Sequence, residues 1–249
     1  MNGYVDAWIR LAWPDQLRSM RAAVASQIAA APEAPESGEV RRLTRPMRWL
    51  LERCAAGVTL TQSGYLPPLL VAEAVDAFGW WPFGGRPRSE IDVHQLEDLR
   101  TTARRLRLIT RRGRRMTTSR TGRAMLSDPV RLWDAVARGV GSVDDYARMV
   151  SEVVALRLLA GPAEDADLDG AVIPVIRAQD WRSGRRALDD NEIRWSIHEP
   201  LRYWRLFGLL DEMHSKWEEN VLVSAWTVSF TPAGRLAGLA FLHARLAAG

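Results

Sequence analysis

Ten arginines and no acidic residue occupy residues 99–127: Arg100, Arg104, Arg105, Arg107, Arg111, Arg112, Arg114, Arg115, Arg120 and Arg123. A run of guanidiniums without carboxylates suits one kind of chemistry. It gathers phosphate, because each guanidinium presents a planar fork of N–H donors that matches an oxyanion. Arg100, Arg104 and Arg107 fall at i, i+4 and i+7 and so share one face of a helix. Arg111, Arg112, Arg114 and Arg115 flank Gly113, the residue at which a hairpin turns most easily. A helix laid in a groove, with a basic hairpin against the backbone, uses this layout. A plainer reading is a solvated face in an arginine-rich chain, since Lys216 is the one lysine among 34 lysines and arginines. Glu97 and Asp98 favour that reading, because they make the start of the helix acidic. So does the scarcity of base-reading side chains beside the arginines, apart from Gln95, Thr101 and Thr102.

Other chemistries are poorly supplied. His94, His198, His214 and His243 are far apart and lack metal-ligand spacing. Cys54 is the single cysteine, which excludes an internal disulfide framework and a thiolate zinc site and points to a reducing cytoplasm. It sits in an apolar helix and is expected to be buried. "GVGSVDD" (139–145) has no lysine and falls between helices, unlike a phosphate loop. Asp144–Asp145 and Asp189–Asp190 read as helix-start acids, which the helix dipole favours. No catalytic constellation emerges, so the expectation is a non-enzyme with no metal and no cofactor.

The elements that must position the arginines follow from composition and pattern. The chain has 249 residues, of which 47% are hydrophobic, enough for one large domain or two ordinary ones. The net charge is +4. No run of eighteen apolar residues exists to span a membrane. Asp6, Arg10 and Asp15 interrupt any export signal at the start.

Residues 4–30 read as a helical arm broken at Pro14. Residues 30–39, with Pro32, Pro35 and Gly38, read as a linker. A helix over 45–56 leads to a short strand at Val58 and Leu60, and a helix over 68–78 ends at Gly79. The loop 79–90 carries Trp80, Trp81 and Phe83, expected to fold back on the domain. A helix over 90–109, with Asp92 as its N-cap, runs into the Gly113 hairpin. Asp128–Pro129 opens another helix, and Ser142 with Asp145 forms a capping box for an apolar helix to about Ala160. The acidic stretch 161–170 reads as a domain boundary. Beyond it come helices, one interrupted near Pro200, then a strand over 221–230 and a final helix.

One five-residue turn recurs as "TQSGY" (61–65), "SRTGR" (119–123) and "TPAGR" (231–235). Aligned on Gly64, Gly122 and Gly234, each has Ser or Thr three residues earlier, suited to cap a helix. Around the last two copies the order is helix, strand, hairpin, strand, helix, and Leu106, Leu108 and Ile109 correspond to Phe207, Leu209 and Leu210. Both stretches resemble the helix-plus-wing part of MarR- and PadR-type regulators. "LTQSGYLPP", "WW", "LRTTARRLRLITRRGRRM" and "TGRAMLSDPVRLW" resemble an actinobacterial family that shares this order with regions of plasmid pRiA4b ORF-3-like proteins. That family implies a fold and brings no reaction or ligand.

The resulting expectation is a mainly α protein with short β-hairpins, built as two tandem winged-helix units plus an N-terminal helical arm. The expected divisions are 1–39 (arm and linker), 40–160 (basic unit), 161–170 (acidic linker) and 171–249 (second unit). The basic unit is expected to contact double-stranded DNA, with a transcription-regulatory role, through Arg100, Arg104, Arg107, Arg111, Arg112, Arg114, Arg115 and Arg120. The second unit balances Arg202, Arg205, Lys216, Arg235 and Arg245 against Glu199, Asp211, Glu212, Glu218 and Glu219. It is expected to be structural, or to form a homodimer or bind a protein partner through Tyr203, Trp204 and Phe207. The alternative for the whole chain is a protein-interaction scaffold without DNA binding.

Overall fold

A computed structural model describes residues 2–30, 34–83, 85–141, 144–214 and 226–248. Among them are twelve α-helices and eight short strands in small antiparallel sheets. No helix among the described residues is long and apolar enough to cross a membrane. Contacts divide the chain into two compact units. The central unit is Glu36–Val136; the outer unit joins Met1–Pro35 to Ala137–Gly249.

The arm forms α1 (Asn2–Arg10) and α2 (Asp15–Ala30), separated where the Trp13–Pro14 peptide is cis. Trp8, Leu17, Val24 and Ile28 are buried, so the arm is part of the outer unit's core. Polar contacts fasten it further: Gln16 Nε2 donates to Gly170 O (3.0 Å) and Gln179 Nε2 donates to Trp13 O (2.8 Å). The expected separate arm at 1–39 is therefore divided between the two units. Residues 31–33 of the expected linker lie outside the described residues.

The central unit begins with α3 (Ser37–Leu43) and α4 (Arg45–Ala55), then β1 (Val58–Thr59) and α5 (Pro68–Phe78). Next come α6 (His94–Arg105), β2 (Ile109–Arg112) and β3 (Arg115–Thr118), followed by α7 (Arg120–Leu126) and α8 (Pro129–Arg138). Leu96, Leu99 and Ala103 repeat at helical spacing on α6 and are buried, which seats this face on the core. The sheet order is β1-β3-β2, with Val58 opposite Met116 and Ile109 opposite Thr118.

The rest of the outer unit repeats this plan. It runs α9 (Asp145–Ala160), β4 (Ala163–Glu164), α10 (Asp165–Ala178), then a hairpin of β5 (Arg182–Ser183) and β6 (Arg186–Ala187). It ends with α11 (Asp190–Leu206), β7 (Leu210–His214), β8 (Trp226–Phe230) and α12 (Pro232–Ala248). The sheet order is β4-β8-β7, with Ala163 opposite Val228 and Leu210 opposite Phe230. In each of these three-stranded sheets the first strand in chain order pairs with the third. α9 buries residues on every side, from Val150 to Leu159, and packs against α2, α10, α11 and α12.

The turn after the third strand is built alike in both. Ser119 Oγ accepts from Gly122 N at 2.9 Å, and Thr231 Oγ1 accepts from Gly234 N at 3.0 Å. Ser119 N donates to Leu108 O and Thr231 N to Leu209 O. A Cβ on Gly122 would stand 2.2 Å from Leu108 O, and one on Gly234 2.0 Å from Leu209 O. Glycine is needed because this helix start crosses the preceding backbone too closely for any side chain.

Several expectations are corrected. "TQSGY" is not a third copy of that turn. Gly64 has φ +82, its N–H donates to Thr61 O, and α5 starts only at Pro68. Val58 belongs to the first strand, the counterpart of Ala163, and lies across the ladder from Met116. The acidic stretch 161–170 lies inside the outer unit. Its acids start α10: Glu164 and Asp167 form a reciprocal capping box. Asp92 does not cap α6; its carboxylate accepts from Arg88 N and Ser89 N around a 3₁₀ turn at Glu90–Asp92. α11 runs unbroken past Pro200, which is buried within it. Ser142, expected to cap α9, lies outside the described residues; Asp144 is the cap, accepting from Ala147 N at 2.7 Å. Of the expected strand 221–230, residues 226–230 are strand and 221–225 lie outside the described residues.

Candidate nucleic-acid interface

The eight arginines expected to meet phosphate fall into three groups. Arg100 is directed inward. Its Nε lies 3.0 Å from Glu90 Oε1, and its Nη1 donates to Gly64 O at 2.6 Å. Glu90 is fully buried, and its other oxygen accepts from Leu66 N at 2.6 Å. Burial pushes the Glu90 carboxyl above its usual range, while the Leu66 hydrogen bond and Arg100 pull it back. Arg100 therefore ties α6 to the loop before α5 and offers no fork to a ligand.

Arg104, Arg107 and Arg120 are exposed and gather where α6 turns into β2 and β3 turns into α7. The Leu108–Ser119 backbone bond closes the hairpin at this base. Arg107 has φ +57, the left-handed conformation.

Arg111, Arg112, Arg114 and Arg115 stand at the opposite end, around Gly113. Four residues of strand separate base from tip, roughly 12 Å. All four tip arginines are exposed, and none is ion-paired among the described residues. Three are held by carbonyls: Arg111 Nε on Gly113 O (2.7 Å), Arg114 Nε on Leu60 O (2.9 Å) and Arg115 Nη2 on Ala56 O (2.9 Å). A carbonyl orients a guanidinium without neutralising it. The tip therefore carries four positive charges on a stiff hairpin, and this is the arrangement a polyanion would meet.

The acidic start of α6 persists in three dimensions. Glu97 is exposed in its first turn. Positive charge is concentrated on the hairpin tip and not along α6, so the helix face 100–107 that spacing suggested is not one basic surface.

Tyr203, Trp204 and Phe207, expected at an interface, are buried in the outer unit's own core. The Trp204 and Phe230 rings meet edge to face at 4.9 Å, and Tyr203 packs on Phe207 at 5.4 Å. They fill the space between α11 and the sheet. The exposed aromatic of that helix is Trp195, 75% exposed, with its ring 5.8 Å from His198. Nothing in the spacing of Trp195 distinguishes it from its buried neighbours until the helix phase is known. Among the loop aromatics, Trp80 stacks on Phe78 at 4.6 Å, whereas Phe83 is exposed.

Cys54 is buried, and burial pushes its thiol up to about 12. A thiolate is the reactive form, so this thiol is inert at neutral pH. Among the described residues no cluster of three or more His, Cys, Asp or Glu side chains is placed to hold a metal ion.

No protein family, curated protein or solved structure matches the chain. The resemblances drawn from its motifs rest on those motifs alone.

Proposed function

We propose that both units are winged-helix units and that the central unit binds nucleic acid through its wing. Support for the fold reading is the shared order of helix, strand, two helices and a two-stranded wing, interrupted in the outer unit by the β5–β6 hairpin between its two helices, with the first strand of each three-stranded sheet pairing to the third. One observation carries the binding reading: four exposed arginines around Gly113 at the wing tip, none of them ion-paired among the described residues. Phosphate is the partner such a tip selects, and duplex DNA supplies it at high density. Contact is mainly to the backbone. Glu97 opposes deep insertion of α6, so sequence preference is weak and the association is electrostatic.

A salt-dependent titration of labelled duplex by the full chain tests this reading. Changing Arg112, Arg114 and Arg115 to Ala removes three phosphate contacts. It is expected to flatten the log–log salt slope by about 2.7 and to weaken binding at low salt by tenfold or more, at about 0.9 per phosphate. Arg104→Ala, at the hairpin base, is expected to change little. No binding at low salt, or indifference to the triple change, overturns the reading.

A second reading is association through the outer unit. One observation favours it: Trp195 stands exposed on α11 beside His198, and aromatics of this kind anchor protein interfaces. Sedimentation across a wide concentration range decides whether the chain self-associates.

A further inference from the structure

Two arginines of the outer unit share a single carboxylate. Glu152 lies in the middle of α9 and is wholly buried. Arg21 Nε, from α2, reaches its Oε1 at 2.7 Å. Arg245 Nε and Nη2, from α12, reach its Oε2 at 3.0 and 2.9 Å. Arg21 Nη1 donates to Trp8 O at 2.5 Å, and its guanidinium lies 4.7 Å from the centre of the Trp8 ring. Arg21 is thus fully occupied. Arg245 uses one edge of its fork, its Nη1 has no partner among the described residues, and its side chain is 22% exposed. The cluster holds two cations against one anion, and a half-buried excess charge is costly unless something balances it.

Both arginines line an open cleft of about 840 Å³. Trp8, Val140, Phe241 and Leu246 supply its apolar wall. Tyr4 and Leu11 also line it and remain 71% and 81% exposed, apolar surface that nothing covers among the described residues. Arg148, another lining residue, is already neutralised by Asp145.

We propose that this cleft binds an organic monocarboxylate with an extended apolar body. The carboxylate takes the open edge of Arg245, and the body lies along Trp8, Leu11 and Phe241. A single negative charge matches the single excess positive charge of the Arg21–Glu152–Arg245 cluster. A dianion would overshoot it and meet the Glu152 charge behind. A neutral chain of the same length would cover Leu11 but leave the cluster unbalanced. The proposal is independent of nucleic-acid binding by the central unit.

Calorimetric titration of the full chain with decanoate, and with decanol as the neutral comparison, tests it. Expected is saturable one-to-one binding of decanoate, about tenfold or more tighter than decanol, the worth of one charge-assisted hydrogen bond. Arg245→Gln leaves Arg21 and Glu152 as a balanced pair, so the fold is retained; the preference for decanoate over decanol is lost. Ala244→Trp narrows the cleft and is expected to weaken binding of both, with circular dichroism reporting that the variant is folded. The proposal is overturned if wild type shows no saturable decanoate binding, or binds decanol equally well. It also falls if folded Ala244→Trp binds decanoate like wild type.

Discussion

Arg107 and Gly208 hold the same place in the two units. Each ends its helix with positive φ, +57 and +65, and each is followed by a leucine whose N–H reaches back into the helix, Leu108 to Ala103 O and Leu209 to Trp204 O. A side chain in this conformation costs about 1 kcal/mol, and glycine escapes the cost. The exposed Arg107 side chain makes no hydrogen bond or ion pair among the described residues that would offset it. Arg107→Gly is therefore expected to raise the thermal midpoint of the central unit by a few degrees. Because Arg107 sits at the hairpin base, the same change is expected to leave duplex affinity nearly intact. Scanning calorimetry and the duplex titration check the two halves of this prediction. The residue scale also shows how far a run of like residues can mislead. Arg100, Arg107 and Arg112 are close in sequence, yet one pairs inward with Glu90, one lies at the base and one at the tip.

At the scale of elements, the third strand and its following helix behave as a fixed joint. Gly122→Ala and Gly234→Ala force a Cβ onto the carbonyl oxygen of Leu108 or Leu209, just before β2 or β7, and each oxygen already accepts a backbone hydrogen bond from Ser119 or Thr231. Each is expected to cost about 1–3 kcal/mol, read by chemical denaturation. Ser119→Ala removes only the cap and is expected to cost about 1 kcal/mol. Helix starts also set the acid sensitivity of the outer unit. Asp167, Asp189 and Glu192 are held below their usual range, first by the backbone N–H groups of Glu164, Glu192 and Asp189 respectively, and then by arginines. A lowered folded-state value means the ionised form favours the fold. That contribution is complete above the usual carboxylate range near 4 and is lost as pH falls through the lower folded-state values. The midpoint of the outer unit is expected to fall modestly below about pH 4, since these carboxylates are open to solvent and screened by it, and Asp189→Asn to lessen the fall.

At the scale of the molecule, the chain leaves one unit and returns to it. The outer unit holds both ends, with α2 and α12 meeting across Glu152 of α9. Deleting residues 1–35 would strip Trp8, Leu17, Val24 and Ile28 from this core and leave Glu152 with Arg245 alone. Hydrogen exchange on the truncated chain is expected to show protection in 36–136 and little in 137–249. Equal protection in both would mean that the arm is dispensable.

The Ser119 and Thr231 caps and the Gly113 hairpin were legible in the sequence because their partners lie within a few positions along the chain. The pairing of Val58 with Met116 and of Ala163 with Val228 joins distant segments and was not legible there. "SRTGR" and "TPAGR" marked matching joints, and the Gly113 hairpin was read from its glycine. The similar "RSGRR" around Gly184, between two expected helices, also forms a hairpin that the sequence pattern leaves unassigned. What only the tertiary structure decided depends on distant residues. Arg21, Glu152 and Arg245 are separated by 131 and 93 positions, and no local pattern announces their meeting. Helix phase against the core decided that Tyr203, Trp204 and Phe207 are buried while Trp195 is exposed. Composition favoured a boundary at the acidic stretch 161–170, but the acids there are spent on capping α10, and burial of the arm's apolar face placed the boundaries near 36 and 137. Sequence fixes the short-range joints because their partners are covalently near; which surfaces remain for a ligand is settled by packing between segments that the chain keeps far apart.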